Sequence, residues 1–263
     1  MKYALLSDIH ANPAALETVL SDARAQGAEK ILCLGDLTGY GYDAASVVQR
    51  IRAVADVCLL GNHDDACADV GYQDERVRTN PNYDLDVSCR KDISTDDLNW
   101  LQTRPLVKSF DHFAIAHGTF VNPTAWGYVK YEWDILENFH ERPEDSLLFV
   151  GHTHLSAIHA LNPDGAVVRV PDLTKTESGI SFPILKEYRY LVNVGTVGYP
   201  RHDFHSTYAL YDDNSQMVEL RCLPFDRDAY MHQLETHGIP IYDWCKLAAK
   251  ADSGDRHFHS PIG

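Results

Sequence analysis

Side chains that bind metal ions follow the apolar segments of this sequence at the points where those segments end. The apolar run 57–60 leads directly into "GNHDD" at 61–65, and four other runs end in the same residue types. The candidate ligands are carboxylates, imidazoles and one amide: Asp8, His10, Asp36, Asn62, His117, His152 and His154. Because strands of an α/β sheet end at one edge, we expect these side chains to converge there. Imidazole with carboxylate suits Mn, Fe, Zn, Co or Ni better than a purely hard ion.

The spacing of the candidates indicates how they converge. Asp8 and His10 are two residues apart, as are His152 and His154. Residues two apart in extended backbone point to the same side, so each pair is predicted to bind one ion or two neighbouring ions. Glycine precedes three candidate positions, at 35, 61 and 151, where the missing Cβ permits a close approach of the backbone.

The number of ligands indicates two ions. Seven ligands exceed the four of a tetrahedral zinc site and suit two octahedral-type ions that share a carboxylate. Two ions about 3.5–4 Å apart stabilise both the attacking and the leaving oxygen in phosphoryl transfer. The predicted chemistry is therefore metal-assisted transfer at phosphorus.

The first third of the chain alternates strands and helices, which would position these residues. "KYALL", "KILCLG" and "VCLL" are predicted strands. Asn12 is expected to cap the first helix, with Pro13 in its first turn and Gly27 after its end, and Asp43 is expected to cap the second. This βαβαβ order predicts a parallel sheet. "FAIAHG" and "SLLFVGHTH" are further strands, and strands with hairpin turns at 162–165 and 212–215 follow residue 155.

The composition limits the class of protein. The 263 residues, 44% of them hydrophobic, suffice for one core. We therefore expect one domain over 1–263, with a small aromatic-rich cap around 119–146 and a helical tail from about 226. The net charge of −15 argues against long nucleic acid as a partner, because phosphate backbones need clustered Lys and Arg. The six cysteines form no CxxC pair and are expected to be reduced. No long apolar segment occurs, which predicts a cytoplasmic protein without membrane contact.

Five motifs, taken in order, resemble those of the calcineurin-like metallophosphoesterases. They are D-x-H at 8–10, G-D at 35–36, G-N-H-D at 61–64, "AHG" with His117, and G-H-T-H at 151–154. The resemblance spans roughly residues 1–201. "GDLTGYG" and "NVGTVGYPR" are similar to small prokaryotic phosphodiesterases of that superfamily, a group that includes some dinucleoside polyphosphate hydrolases. The resemblance implies an α/β fold, a four-layer α/β/β/α sandwich of two mixed sheets flanked by helices, with the metal site at the strand C-terminal ends.

The resemblance also implies a role for each matching residue. One ion would be held by Asp8, His10, Asp36 and His154. The other would be held by Asp36, Asn62, His117 and His152. Mn and Fe are favoured among the divalent or trivalent transition metals. A hydroxide between the ions would attack phosphorus, since metal binding lowers the pKa of water. His63 would protonate the leaving oxygen as general acid, and Asp64 would orient the His63 ring.

Three residues outside the motifs are candidate substrate contacts. Arg201 suits bidentate contact with a phosphate, and an exposed surface arginine is the alternative. Trp126 and Tyr128 have rings that stack on a nucleobase, and an aromatic core of the cap is the alternative. Asp65 receives no role, and the histidines at 202 and 205 are expected to lie on the surface.

Three hypotheses for the function remain at this stage. The first is dimetal-dependent hydrolysis of a small nucleotide-type phosphate ester, with phosphodiesterase activity favoured over phosphomonoesterase activity. The second is a non-catalytic interaction scaffold with the same fold. Such scaffolds lose the acid histidine or several ligands, whereas His63 and all seven ligands are present here. The third is a nuclease of the same superfamily, against which the acidic net charge argues. The expected partner is a small phosphorylated substrate, and no oligomeric state is predicted.

Overall fold

Two mixed β-sheets pack against each other in the computed structural model, which describes residues 1–72, 86–201 and 204–240. In chain order the strands are β1 (Lys2–Leu6), β2 (Lys30–Cys33), β3 (Val57–Cys58), β4 (Val107–Ser109), β5 (Ala114–Ala116), β6 (Leu147–Val150), β7 (Ala157–Leu161), β8 (Val167–Val168), β9 (Thr174–Thr176), β10 (Gly179–Pro183), β11 (Arg189–Asn193), β12 (His205–Asp212) and β13 (Met217–Pro224). The first sheet has the order β3-β2-β1-β12-β13-β10-β9, and the second has the order β4-β5-β6-β11-β7-β8. The parallel parts are β1-β2-β3 in one sheet and β5-β6-β11 in the other.

Helices lie on the outer faces of both sheets. They are α1 (Pro13–Ala25), α2 (Ala44–Val54), α3 (Asn62–Ala68), α4 (Thr95–Gln102), α5 (Glu132–Glu141) and α6 (Arg227–Thr236). Residues of α1 and α2 form an apolar cluster with the first sheet, and residues of α5 form one with the second. A further apolar cluster lies between the sheets and contains Leu5 and Leu32 from one and Phe149 and Val192 from the other. The predicted four-layer α/β/β/α sandwich is confirmed.

The first two helices begin at the predicted capping residues. The Asn12 side chain accepts a hydrogen bond from the backbone N–H of Ala15 at 3.2 Å, with Pro13 at the first helical position. The Asp43 side chain accepts one from the backbone N–H of Ser46 at 3.0 Å. These caps satisfy N–H groups that have no partner inside the helix. The β1-α1-β2-α2-β3 order therefore turns back after each helix and brings the carboxyl ends of β1, β2 and β3 to one edge.

The interval 119–146, expected to form a small cap, contains a short 3-10 helix (Pro123–Ala125) and α5. Ile135 and Phe139 of α5 pack in the apolar cluster of the second sheet. Helix α6 lies within the tail expected from about 226, and residues 241–263 lie outside the described residues. The five cysteines in the described part of the chain are free. Across 1–72, 86–201 and 204–240, no helix combines the length and the apolar character needed to cross a membrane.

Candidate metal centre

The seven candidate ligands lie at the carboxyl ends of five strands that belong to both sheets. Those of the first sheet follow β1, β2 and β3 and are Asp8, His10, Asp36 and Asn62. Those of the second sheet follow β5 and β6 and are His117, His152 and His154. The structure thus brings together all seven, with the parallel parts of two sheets ending side by side. Asn62 is half-buried, and the other six side chains are at most 5% exposed.

Most of these residues adopt a left-handed backbone conformation. The φ angles lie between 47° and 66° at Asp8, His10, Asp36, His152 and His154. This finding corrects the expectation of extended backbone at the two pairs. Such a conformation costs a non-glycine residue about 1–3 kcal/mol, and strain of this kind concentrates at functional sites. As a result Asp8 and His10 meet in one cluster, whereas His152 and His154 enter two different clusters.

The first cluster joins Asp8, His10 and His154 through atoms that all accept hydrogen bonds. The His10 ring donates from Nδ1 to the carbonyl oxygen of Thr38 at 2.9 Å, and the His154 ring donates from Nδ1 to that of Tyr199 at 2.9 Å. With Nδ1 directed at a carbonyl oxygen, Nε2 is the nitrogen that each ring turns toward the cluster. These two Nε2 atoms are 3.1 Å apart, and that of His154 is 3.2 Å from Asp8 Oδ1. Lone pairs facing one another at these distances need a cation between them.

The second cluster has the same character. The His117 ring donates from Nδ1 to the carbonyl oxygen of Leu34 at 3.0 Å, and the His152 ring donates from Nε2 to that of Trp126 at 3.0 Å. The remaining ring nitrogens, Nε2 of His117 and Nδ1 of His152, are 3.2 Å apart. His117 Nε2 is also 3.2 Å from Asn62 Oδ1. A carbonyl that holds the far nitrogen of an imidazole is the usual second contact of a metal-binding histidine.

Asp36 lies between the two clusters. Its Oδ2 is 3.3 Å from His117 Nε2 and 3.7 Å from His10 Nε2. Its Oδ1 accepts a hydrogen bond from the backbone N–H of His63 at 2.9 Å. A Cβ on Gly61 would lie 2.1 Å from Asp36 Oδ1, so only glycine permits this approach. One carboxylate is therefore placed to serve two ions.

The residues of the two clusters fit metal ions on structural grounds. Asp8 Oδ1 and Asp36 Oδ2 are fully buried and accept no hydrogen bond from any described residue. Burying a charged oxygen without a partner is costly, and a cation removes that cost. Nitrogen with carboxylate and amide oxygen is the ligand chemistry of transition-metal ions. The clusters are therefore candidate sites for two such ions.

The pKa shifts in the clusters follow from burial and from the two carboxylates. Burial lowers the pKa of His10 to about 4 and that of His152 to about 3, which keeps both rings neutral. Burial also lowers the pKa of His117, but the Asp36 carboxylate outweighs it and the pKa rises to about 9. Asp36 therefore draws positive charge to this position, where a proton and a metal ion compete.

His63 lies beside the clusters, and the carboxylate on its ring belongs to Asp86. His63 Nδ1 and Asp86 Oδ1 are 2.7 Å apart. This corrects the expectation that Asp64 orients the ring. Asp64 instead accepts hydrogen bonds from the backbone N–H groups of Leu37 at 2.9 Å and Thr38 at 3.1 Å. Neighbouring residues on a helix do not face each other, so Asp64 points away from His63 on α3.

The charge around His63 is strongly negative. Burial lowers the pKa of the His63 ring, but the carboxylates of Asp86 and Asp36 outweigh burial and raise it to about 9. Burial and the charge of Asp36 raise the pKa of Asp64 to about 6. His63 thus has the electrostatic surroundings of a protonated imidazole.

Two tyrosines that sequence reasoning missed cover one side of this site. The rings of Tyr40 and Tyr199 stack with centroids 4.3 Å apart. The Tyr40 ring lies 4.5 Å from that of His63 and 4.8 Å from that of His10. The "GYG" at 39–41 was the available signal, because glycines on both sides of an aromatic residue indicate a close approach of the backbone.

The candidate substrate contacts border the same centre. The Tyr128 ring stacks on that of His152 with centroids 4.1 Å apart and is 43% exposed. The Trp126 ring lies 6.0 Å from that of His117. Burial raises the pKa of Tyr128, and the positive charge of Arg201 partly offsets this, so Arg201 acts at the same position. His205 begins β12, and the residue at 202 lies outside the described residues.

Comparison with known proteins agrees with the motifs. The profile of the calcineurin-like phosphoesterase superfamily domain matches residues 1–216. An uncharacterized protein from Methanocaldococcus jannaschii is 28% identical over 243 residues, which cover 90% of this chain and 93% of that protein. A solved metallophosphoesterase structure from Sphaerobacter thermophilus is 27% identical with a TM-score of 0.76, covering 95% of this chain and 98% of that one. A hypothetical protein from Pyrococcus horikoshii OT3, 14% identical with a TM-score of 0.69 and covering 94% and 97% of the two chains, shares the fold.

Proposed function

The chain belongs to the calcineurin-like phosphoesterase superfamily, a metal-dependent family, and we propose that it hydrolyses small phosphate esters at a centre of two metal ions. The observation that carries this proposal is the pair of acceptor-only clusters that share Asp36. A single structural ion would need one such cluster. Two clusters that meet at one carboxylate are the arrangement that phosphoryl transfer with two ions requires.

The ligands divide between the ions as the geometry suggests. One ion would be held by Asp8, His10, Asp36 and His154. The other would be held by Asp36, Asn62, His117 and His152. When bound, the two ions supply Lewis-acid activation of water and of the phosphoryl oxygens. Mn and Fe are the ions we favour for this mixed nitrogen and oxygen ligand set.

His63 is the proposed proton donor. In the reaction the ester P–O bond breaks, a new P–O bond forms with water, and the proton of the His63 ring passes to the leaving oxygen. Solvent then returns to His63 the proton that water loses. The negative charge of Asp86 and Asp36 around the ring favours the protonated form that this step needs.

The substrate is proposed to be a phosphodiester of nucleotide type. The similarity of "GDLTGYG" and "NVGTVGYPR" to small phosphodiesterases supports a diester. The Tyr128 ring is 43% exposed and stacks on His152, and the Lys130 ammonium lies 4.1 Å from the ring centroid. Tyr128 would bind a planar base by its exposed part, and Arg201, whose positive charge acts at Tyr128, would bind a second anionic group.

Hydrolysis of bis-p-nitrophenyl phosphate by metal-free protein supplied with Mn²⁺ tests this function. We expect turnover that depends on Mn²⁺ and falls to below about one thousandth in Asp36→Ala, because both clusters lose their shared ligand. Asp22→Ala is the matched control, since Asp22 is a carboxylate on α1 that contacts Arg221 rather than the clusters. Its turnover per folded molecule should equal that of the wild type.

The alternatives predict different results in the same assay. Absence of Mn²⁺-dependent turnover, on this ester and on phosphomonoesters and dinucleoside polyphosphates, would contradict the proposal and favour an interaction scaffold. Cleavage of long oligonucleotides in preference to small esters would favour a nuclease. Equal turnover of Asp36→Ala and the wild type would show that the chemistry occurs elsewhere.

A further inference from the structure

Asp86 is a buried carboxylate that belongs to none of the five motifs. It is 5% exposed, and its Oδ1 lies 2.7 Å from Nδ1 of His63. The ring of His63 is also held from the side, with Tyr40 at 4.5 Å and His10 at 4.8 Å between ring centroids. With Nδ1 occupied by Asp86, Nε2 is the ring nitrogen of His63 that remains for a proton transfer.

A second contact holds the segment of Asp86 against the helix of His63. His63 and Cys67 are four residues apart on α3 and therefore lie on one face of that helix. Cys67 Sγ is 3.2 Å from Cys89 Sγ, and Cys89 Sγ donates to the carbonyl oxygen of Asp86 at 2.9 Å. The short segment 86–89 thus contacts α3 at two successive turns. This double contact sets the position of the Asp86 carboxylate.

The loop after β2 leaves room for this pair at Gly39. A Cβ at this position would lie 2.5 Å from His63 Nδ1 and 2.6 Å from Asp86 Oδ1. Gly39 also has a φ of 80°, which other residues adopt only under strain. The glycine in "GDLTGYG" therefore marks the place where the imidazole and the carboxylate meet.

We propose that Asp86 is the positioning residue of His63: it holds the ring by Nδ1, so that Nε2 donates its proton to the leaving oxygen of the substrate. The inference rests on the proposed function, because it assigns Asp86 a role through the proton donor of that reaction. It predicts that Asp86 matters most for esters whose leaving group needs a proton. An alkoxide or phenoxide that leaves poorly gains more from general-acid catalysis than a stabilised p-nitrophenoxide.

The test compares diphenyl phosphate, a poor leaving-group ester, with bis-p-nitrophenyl phosphate, a good one. For Asp86→Ala we expect kcat on diphenyl phosphate to fall by about 10²-fold, with KM unchanged, and kcat on bis-p-nitrophenyl phosphate to fall by less than about threefold. The double variant Asp86→Ala/His63→Ala should be no slower than His63→Ala, because two residues that act as a unit are not additive. Bound Mn²⁺ per chain should stay at two equivalents.

Two matched pairs of variants separate positioning from general damage. Gly39→Ala should show the same leaving-group dependence, whereas Gly27→Ala should not. Gly27 has a similar φ of 77°, but nothing lies within 4 Å of a Cβ built there. Asp97→Asn, at another buried aspartate that contacts Arg52, controls for the loss of a buried carboxylate and should leave both activities unchanged.

Failure of this inference differs from failure of the proposed function. Equal loss on both esters, or additive effects in the double variant, would overturn the role of Asp86 while the phosphoesterase activity stands. If the wild type hydrolyses neither ester, and no phosphomonoester or dinucleoside polyphosphate either, the proposed function fails, and crystal structures of the variants then test the positioning of the His63 ring on their own. In Asp86→Ala and Gly39→Ala the His63 ring should then be turned from its wild-type orientation; an unchanged ring would overturn the inference.

Discussion

Two polar regions of this molecule differ in how their charges are satisfied. In the Arg221 cluster (Asp22, Tyr208, Glu219 and Arg221), every contact joins a donor to an acceptor. The Arg221 guanidinium donates to both oxygens of Asp22, at 2.6 and 3.0 Å, and to Glu219 at 2.6 Å. The Tyr208 hydroxyl donates to Asp22 at 2.6 Å. These bonds join α1 to β12 and β13 and need no further group.

The candidate metal centre has the opposite character. Its ring nitrogens face one another and face the carboxylates of Asp8 and Asp36, while their donating nitrogens point outward to backbone carbonyls. The two regions also differ in exposure, since the side chains of Asp22 and Glu219 are 19% and 26% exposed and those of Asp8 and Asp36 are fully buried. A cluster with its own cation stabilises the fold, whereas a cluster of acceptors alone is prepared for a cation from solution.

Among the substitutions, the largest expected effect on stability comes from removing the arginine of the Arg221 cluster. Arg221→Ala leaves two carboxylates without their cation, and we expect the free energy of unfolding to fall by about 3 kcal/mol in urea denaturation. Turnover per folded molecule should stay within about twofold of the wild type, because the cluster lies outside the centre. Lys30→Ala, which breaks an exposed pair with Asp56, should cost much less, because solvent screens that pair. Similar losses in the two variants would contradict the comparison.

The next largest expected effect is the gain in the free energy of unfolding when metal ions bind to the two clusters that share Asp36. Metal-free protein given Mn²⁺ at a hundredfold excess over its dissociation constant should gain about 2.7 kcal/mol per site, measured by urea denaturation. Asp36→Asn should lose most of this gain, since the shared ligand loses its charge. Arg221→Ala should keep it in full. A gain that survives in Asp36→Asn would mean that Mn²⁺ binds elsewhere.

The sequence allowed prediction of those parts that local signals specify. The caps Asn12 and Asp43, the βαβαβ unit and the position of the candidate ligands at strand ends could be predicted because each depends on residue types within a few positions. The motifs, taken in order, also indicated both sheets and the family. The backbone at Asp8 and His154 was predicted wrongly, since extended and left-handed conformations both bring nearby side chains together, and only the surrounding structure selects between them.

Asp86 could not be predicted from its neighbours. It lies in a polar stretch, 65–92, without clear helical or strand periodicity, and it reaches His63 through contacts that cross 23 residues. Asp64 was the nearer candidate, but the direction of side chains on α3 excludes it from the ring. Gly39 carried the relevant signal, because a glycine three residues after the candidate ligand Asp36 indicates that another group approaches the backbone there.

The smallest expected effect is the pH dependence of the Arg221 cluster. Burial raises the pKa of Asp22, but hydrogen bonds from Arg221 and Tyr208 outweigh it, so the pKa lies below the ordinary value of 3.8. A pKa depressed in the folded state contributes stability above pH 3.8, and this contribution is lost as the pH falls through the folded pKa. The stability difference between the wild type and Asp22→Asn should therefore be constant near neutral pH and shrink below pH 3.8.

Urea denaturation at a series of pH values measures this difference, and Tyr208→Phe sharpens it. This variant removes one of the donors to Asp22 and keeps Arg221. Since the folded pKa of Asp22 then lies closer to 3.8, the loss of stability on acidification should be smaller than in the wild type and complete at a higher pH. A difference that persists unchanged to the lowest pH would show that Asp22 stabilises the fold by its shape rather than its charge. In that case the Arg221 cluster would differ from the candidate metal centre by its packing, and not because it contains a cation, Arg221, of its own.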